Sequence, residues 1–171
     1  MKTVIGIDPS LTATAVCRMA EDGSVKMLVY GSKANDGNVY NRLARYMELV
    51  DDITIGPLWI PDPNLVLIEG YSYGSNPRSV HLGEFGGLLR QRLVEREHVV
   101  EIPPKTLKKF TTGKGNASKI AMVAAIVKRW DVEFKTDDEY EAYALARLGL
   151  AVLGVDKVLK IQQKLVEGLR C

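Results

Sequence analysis

Leu65-Val66-Leu67-Ile68 is apolar without interruption, and Glu69 follows it directly. A strand with one wet face alternates apolar and polar residues, so a run without alternation is covered on both faces. The chain is therefore expected to build a sheet with helices on either side. An acid set immediately after four buried apolar residues is costly unless it is paired or coordinates something.

The segments around this run fit that architecture. Thr3 to Ile7 is a short apolar run closed by Asp8-Pro9-Ser10, and Thr12 to Met19 is rich in small and β-branched residues. Glu21-Asp22-Gly23-Ser24 is a hairpin turn signal, and Val25 begins a third strand. Val39 to Asp52 has helical spacing, with Leu43, Met47 and Val50 on one face; Ile55 to Pro63 holds three prolines and reads as a loop. Pro77 to Arg96 reads as a long helix with Leu82, Phe85, Leu89 and Leu93 recurring at helical spacing. His98 to Ile102 is a fifth strand, ended by Pro103-Pro104. Asn116 to Trp130 is a helix whose inner face is expected at Ile120, Val123, Val127 and Trp130. Thr136 is the N-cap of another, running to about Leu153. The order β-β-β-α-β-α-β-α-α gives a mixed sheet with helices on both faces. Residues 1–154 form this domain, and 155–171 add an amphipathic helix, carrying Val158, Ile161, Leu165 and Leu169, that is expected to pack on the domain or on a partner.

Composition narrows the class. At 171 residues the chain is one domain by length, and 26% charged against 46% hydrophobic residues excludes disorder and low complexity. Cys17 and Cys171 are too few for a disulfide framework or a thiolate metal site, and a reducing compartment fits them. No apolar run reaches the roughly 20 residues of a membrane span, and Met1-Lys2 leads straight into a strand without a signal peptide, so the cytoplasm is expected. A net charge of +2 does not by itself announce a nucleic-acid binder.

The acids carry more information. Asp8 and Glu69 each end a strand, and ligand sites in open α/β sheets lie outside strand ends. Alone, each also reads as a surface acid at a strand terminus. Asp138 and Glu141, spaced i, i+3, share one face of the helix after Thr136. The helix dipole accounts for Asp137, Asp138 and Glu139 in the first turn, but poorly for Glu141, which lies beyond it amid small residues. Converging carboxylates suit Mg²⁺ or Mn²⁺, and His81 and His98, far apart in sequence, offer no zinc pattern.

Ile5-Gly6-Ile7-Asp8-Pro9-Ser10, Ile68-Glu69 and Asp138-x-x-Glu141-Ala142 together resemble the acidic motifs of the RuvC family of Holliday-junction resolvases, within the ribonuclease H-like superfamily. Pro104 to Lys119, with Lys108, Gly113-Lys114-Gly115 and Lys119, is similar to that family's basic stretch, and the likeness spans about residues 3–150. The resemblance implies a ribonuclease H-like, five-stranded mixed sheet, an antiparallel meander plus two parallel strands, in which strands one and four are neighbours. It implies a crossover junction endodeoxyribonuclease that nicks DNA in pairs across a four-way junction, as a homodimer. Its acids map to Asp8, Glu69, Asp138 and Glu141 as metal ligands for two Mg²⁺ ions, with Mn²⁺ able to substitute. In that mechanism one ion activates water and the other stabilises the leaving oxygen. The fourth acid is commonly aspartate in bacterial members, so Glu141 is one methylene longer, and Asp137 beside Asp138 leaves the register of the third open. Lys108 and Lys119 match the family's basic positions, Lys119 as a catalytic cation. The DNA-contacting aromatic three residues after the glutamate maps to Ser72, with Tyr71 and Tyr73 flanking it. Ile55 to Asn64 and the terminal helix differ from the familiar bacterial members, which fits a phage-encoded relative in a bacterial host's cytoplasm.

Lys105, Lys108, Lys109, Lys114 and Lys119 occur in a stretch with no acid, and local rather than total charge sets phosphate affinity. Gly113 and Gly115 are expected to let the backbone approach phosphates, and Arg78, Arg90, Arg92 and Arg96 add charge on the long helix. That helix also carries Gly83, Gly86 and Gly87, and the resemblance places the dimer interface there, around Leu82, Phe85, Gly86 and Leu89. Two other functions compete with junction resolution: a ribonuclease H-like nuclease acting on RNA or RNA–DNA hybrid, and a non-catalytic junction-binding module. The lysine-glycine segment disfavours the first and the intact acids the second. An actin-like nucleotide-binding fold needs far more chain than this.

Overall fold

A computed structural model describes residues 1–31, 38–59, 62–71, 78–95 and 98–169. Five strands, β1 (Thr3–Asp8), β2 (Thr14–Ala20), β3 (Val25–Tyr30), β4 (Leu65–Glu69) and β5 (Val99–Ile102), form one sheet in the order β3-β2-β1-β4-β5. β1–β2 and β2–β3 pair antiparallel; β1–β4 and β4–β5 pair parallel. The expected mixed sheet, with strands one and four adjacent, is present.

Strand parity sorts the core into two layers. Val4, Leu65, Leu67 and Ile102 face one side with Ala142, Leu145 and Phe110. Ile5, Ile7, Val66 and Ile68 face the other with Tyr46, Ile53, Phe85 and Leu89. The second layer is covered by α1 (Val39–Ile55) and α2 (Arg78–Val94), the first by α3 (Pro104–Thr112), α4 (Lys119–Trp130), α5 (Asp137–Val152) and α6 (Lys160–Glu167). Arg42 grips Glu84 through two hydrogen bonds of 2.9 and 3.0 Å, joining α1 to α2.

Contact between α5 and β1 sets the geometry of the whole molecule. A Cβ added to Gly6 would lie 2.2 Å from the Ala142 carbonyl oxygen and 2.6 Å from the Ala146 nitrogen. Only glycine lets the helix backbone rest on the strand there. Gly6 precedes Asp8 by two residues, on the same face of β1, and Ala142 adjoins Glu141. Close packing therefore draws the two acids together.

Several expectations are corrected. Pro104 to Thr112 is helical, because Pro104 at the first helical position has no amide hydrogen to satisfy, and Gly113, at φ 80°, ends the helix with its N–H on the Lys109 carbonyl. Gly115 sits against the Lys105 carbonyl. Both glycines are thus accounted for by the turn itself. In α4 Met122 and Ile126 are buried and Val123 and Trp130 pack on the core beside them, while Ile120 is 83% exposed and Val127 is exposed. Met47 of α1 is likewise exposed, and Tyr46, Leu49, Val50 and Ile53 face inward. The proline-rich loop inserts Leu58 and Trp59 into the core through a single 3₁₀ turn. α6 packs on the domain through buried Val166 and Gln162; Gln162 donates to the Phe110 carbonyl at the end of α3 and accepts from Arg129 of α4. Pro77, Arg96 and Cys171 lie outside the described residues. Among the described residues no helix is long and apolar enough to cross a membrane.

Candidate active site

Parity that places Val4 and Gly6 against α5 places Asp8 there as well, and in β4 the series Leu65, Leu67, Glu69 points to the same face. α5 supplies the third side. Thr136 and Glu139 cap that helix reciprocally: Glu139 accepts from the Thr136 amide at 2.8 Å, and the Thr136 hydroxyl oxygen accepts from the Glu139 amide at 3.3 Å. Glu139 is thereby used, and Asp137 is exposed. Asp138 and Glu141, one turn apart, are left to face the sheet.

Asp8, Glu69 and Glu141 bring carboxylate oxygens within 4.8 Å of one another. Asp8 and Glu141 are buried and Glu69 is half-buried. Asp138, half-buried, stands close enough to Asp8 for each carboxyl to act on the other. That contact distinguishes Asp138 from its neighbour Asp137.

Crowding like charges out of water favours protonation. Burial, then the charges of Glu69, Glu141 and Asp138, holds the Asp8 carboxyl well above the usual carboxylate range. Burial, then Glu141, pushes Glu69 up to about 7, against the opposing pull of the Asp8 hydrogen bond, Lys119 and Lys108. Glu141 and Asp138 are raised by burial as well, and Lys119 is the largest opposing influence on both. Lys119 opens α4 directly after the N-cap Ser118, with Nζ 3.4 Å from Glu141 Oε1. Burial pulls its ammonium down, but Glu141, Asp8 and Asp138 together hold it above its ordinary value.

The donor set is entirely oxygen, compact and over-supplied with negative charge relative to the cations beside it. Such a set fits a hard divalent cation of the Mg²⁺ or Mn²⁺ type.

The basic residues divide. Lys108 of α3 and Lys119 act on the acids; Lys105, Lys109 and Lys114 are exposed on α3 and the turn after it. Ser72, Tyr73 and the side chain of Arg78 lie outside the described residues. Tyr71 is folded against α2, its hydroxyl donating to the Gly83 carbonyl at 3.4 Å. A Cβ on Gly86 would lie 2.8 Å from that hydroxyl oxygen, so Gly86 serves as the seat of Tyr71. Phe85 and Leu89 have 0% exposure and fill this chain's own core, and Leu82 packs against the same cluster. Phe85, Gly86 and Leu89 are thus buried within this chain, whereas Leu82 remains partly exposed. Helical phase turns their face onto the sheet and leaves Val80, Gly87, Gln91 and Val94 exposed on the opposite one. Arg90 is the residue whose part the sequence hid: it appears as surface charge on a helix, yet its side chain reaches the backbone of Glu69.

Similarity to known proteins agrees with this geometry. The family described as crossover junction endodeoxyribonuclease RuvC matches residues 4–164, extending into α6. A protein of that name from Prochlorococcus marinus is 27% identical over 153 residues, covering 86% of this chain and 97% of its own. Another from a Sulfurovum species is 30% identical over 150 residues, covering 84% of this chain and 91% of its own. The structure titled "T. thermophilus RuvC in complex with Holliday junction substrate" superposes with a TM-score of 0.66 at 21% identity, covering 93% of this chain and 100% of that one. At that identity the likeness speaks for the fold. Sheet order, acidic motifs in sequence and a family match over nearly the whole chain agree: the protein belongs to the RuvC family of crossover junction endodeoxyribonucleases.

Proposed function

We propose that this chain resolves four-way DNA junctions by paired phosphodiester nicks, using Mg²⁺, two ions per site, with Mn²⁺ able to substitute. The observation that carries the reading is the meeting of Asp8, Glu69 and Glu141 within 4.8 Å beside Lys119, in a chain of this family. Asp8, Glu69, Asp138 and Glu141 would hold the ions. A divalent ion so held supplies Lewis-acid chemistry, lowering the pKa of water and taking up charge on a departing oxygen.

This chain's own residues do the rest. Lys119, half exposed, offers its ammonium from the rim of the site toward a phosphodiester, and Lys108 adds charge from α3. Lys105, Lys109 and Lys114 extend that charge along the surface where a DNA backbone would run. Before ions bind, raised carboxyl pKa values keep part of the cluster protonated and lessen its repulsion of DNA.

Two nicks on opposed strands call for two sites related by a two-fold axis, which a homodimer supplies. The open face of α2, with Val80, Gly87, Gln91 and Val94, is the surface we assign to it.

Cleavage of a synthetic four-way junction, with and without Mg²⁺ and mapped at nucleotide resolution, tests the proposal. An RNA–DNA hybrid of equal length serves as the comparison. Symmetric, Mg²⁺-dependent nicks near the branch point are expected. Preferential cutting of the hybrid, or junction binding without cutting, would overturn it.

A further inference from the structure

We infer that Arg90 is a positioning residue for Glu69, holding the end of β4 from the opposite face of the sheet. Its Nη2 donates to the Glu69 carbonyl oxygen at 2.8 Å. Its Nε donates to Glu101 Oε2 at 2.6 Å, and Nη1 donates to the Gly86 carbonyl at 3.1 Å. The guanidinium carbon lies 4.0 Å from the centroid of the Tyr71 ring, within cation–π range. One side chain thus joins α2, β4, β5 and the residue two positions beyond the acid.

The need for such a clamp follows from where Glu69 stands. It is the last residue of β4, the Gly70 amide beyond it donates to the Ile102 carbonyl at 2.8 Å, and Tyr71 then turns toward α2. That bond pins one edge of the peptide plane that follows Glu69, and a tilt of the plane about it would swing the carboxylate away from Asp8 and Glu141. Arg90 holds the opposite, carbonyl edge of the same plane and so resists that tilt, while Tyr71, seated over Gly86, fixes the guanidinium. Planarity matters: one face lies on a ring while separate edges serve a carbonyl and a carboxylate, an arrangement a lysine ammonium cannot reproduce.

The same contacts separate this role from a phosphate contact. The Arg90 side chain is 18% exposed and its charge is matched by Glu101, which leaves little for DNA. Groups that orient metal ligands without touching the ion typically change metal affinity by about 10- to 100-fold when lost.

The inference rests on the proposed metal site, so one arm of its test uses no DNA. Mn²⁺ binding to the free protein, followed by electron paramagnetic resonance, is compared for wild type, Arg90→Ala and Arg90→Lys. Both variants are expected to bind Mn²⁺ about tenfold more weakly. In single-turnover cleavage of prebound junction, the Mn²⁺ concentration for half-maximal rate should rise by a similar factor, with most of the rate recovered at saturation. Metal-free junction affinity and its salt dependence should match wild type. If Arg90→Ala does not fold, Arg90→Lys, which keeps charge and stem, decides. Unchanged Mn²⁺ affinity in Arg90→Lys overturns the inference, as does weaker metal-free junction binding with a shallower salt slope. Wild type that binds Mn²⁺ but does not cut junctions would refute the proposed function and leave the positioning role intact.

Discussion

Lys119 Nζ lies 3.4 Å from Glu141 Oε1, so a lysine whose side chain is 56% exposed faces a glutamate whose side chain is 9% exposed. The pair straddles the boundary between solvent and site. Removing the lysine leaves a buried acid without its nearest cation, which favours the protonated form. Lys119→Met should therefore lower cleavage about tenfold at neutral pH and move the rising limb of the pH–rate profile to higher pH, with recovery near pH 9. Lys119→Arg should restore most of the rate. An equal loss at every pH would mean that Lys119 acts on the transition state and not through Glu141.

Asp8→Asn and Glu69→Gln each remove one carboxylate and one negative charge facing DNA. Junction affinity measured without metal should hold or improve, while cleavage falls by about 100-fold or more. Gel-shift titrations alongside single-turnover cleavage check both halves. Near-wild-type cutting by Glu69→Gln would remove Glu69 from the site.

Raised carboxyl pKa values make the metal-free protein less stable as pH rises. Between an unfolded value near 4.3 and the folded value of about 7 for Glu69, the native state binds more protons than the unfolded one, so unfolding free energy declines across that window and levels off above it. Asp8, whose carboxyl is also raised, acts in the same direction. Denaturant melts from pH 5 to pH 8 without metal should show a loss of about 1–3 kcal/mol, and Glu69→Gln should flatten the curve. Mg²⁺ should restore stability most at the high-pH end, where it no longer competes with protons.

Gly6→Ala tests whether helix–strand contact assembles the site. The added methyl meets backbone at 2.2 Å, which cannot yield without lifting α5. A loss of about 1–3 kcal/mol and a collapse of cleavage are expected. Gly83→Ala is the control: nothing lies within 4 Å of its new Cβ, and exchanging a helical glycine for alanine should stabilise by up to about 1 kcal/mol.

Gly87→Arg places a charge on the open face of α2 without touching the core, since its Cβ position is also free of neighbours. If this face joins two copies, sedimentation should shift from dimer to monomer. On a supercoiled plasmid carrying a cruciform, the product should shift from linear DNA to open circles. A wild-type protein that sediments as a monomer both free and on the junction would remove α2 from that role.

Much of this molecule is legible in one dimension, for identifiable reasons. The uninterrupted Leu65–Ile68 run required cover on both faces, and the sheet has it. Asp138 and Glu141 share a face because i, i+3 spacing leaves no alternative on a helix. Amphipathic helices were harder. In α4, Val123 and Trp130 pack on the core as their spacing predicts. Ile120 and Val127, however, are apolar yet exposed and Met122 and Ile126 are the fully buried residues, so the inner face is rotated from the one periodicity gives. In the long helix, Phe85 and Leu89 belong to the internal core while Leu82 stays partly exposed at its edge. Arg90 was illegible because its meaning depends on a carbonyl, a ring and a carboxylate from three separate segments, and carbonyl positions leave no mark in a sequence.

Asp8 comes from the opening strand and Glu141 from a helix near the other end, with Gly6 and Ala142 pressed together between them. A contact of such long sequence separation forms only after the intervening chain has closed its loops. A partly synthesised or clipped chain lacking α5 carries Asp8 and Glu69 but cannot assemble the cutting centre. Cleavage competence thus waits on α5, the last large core helix in chain order.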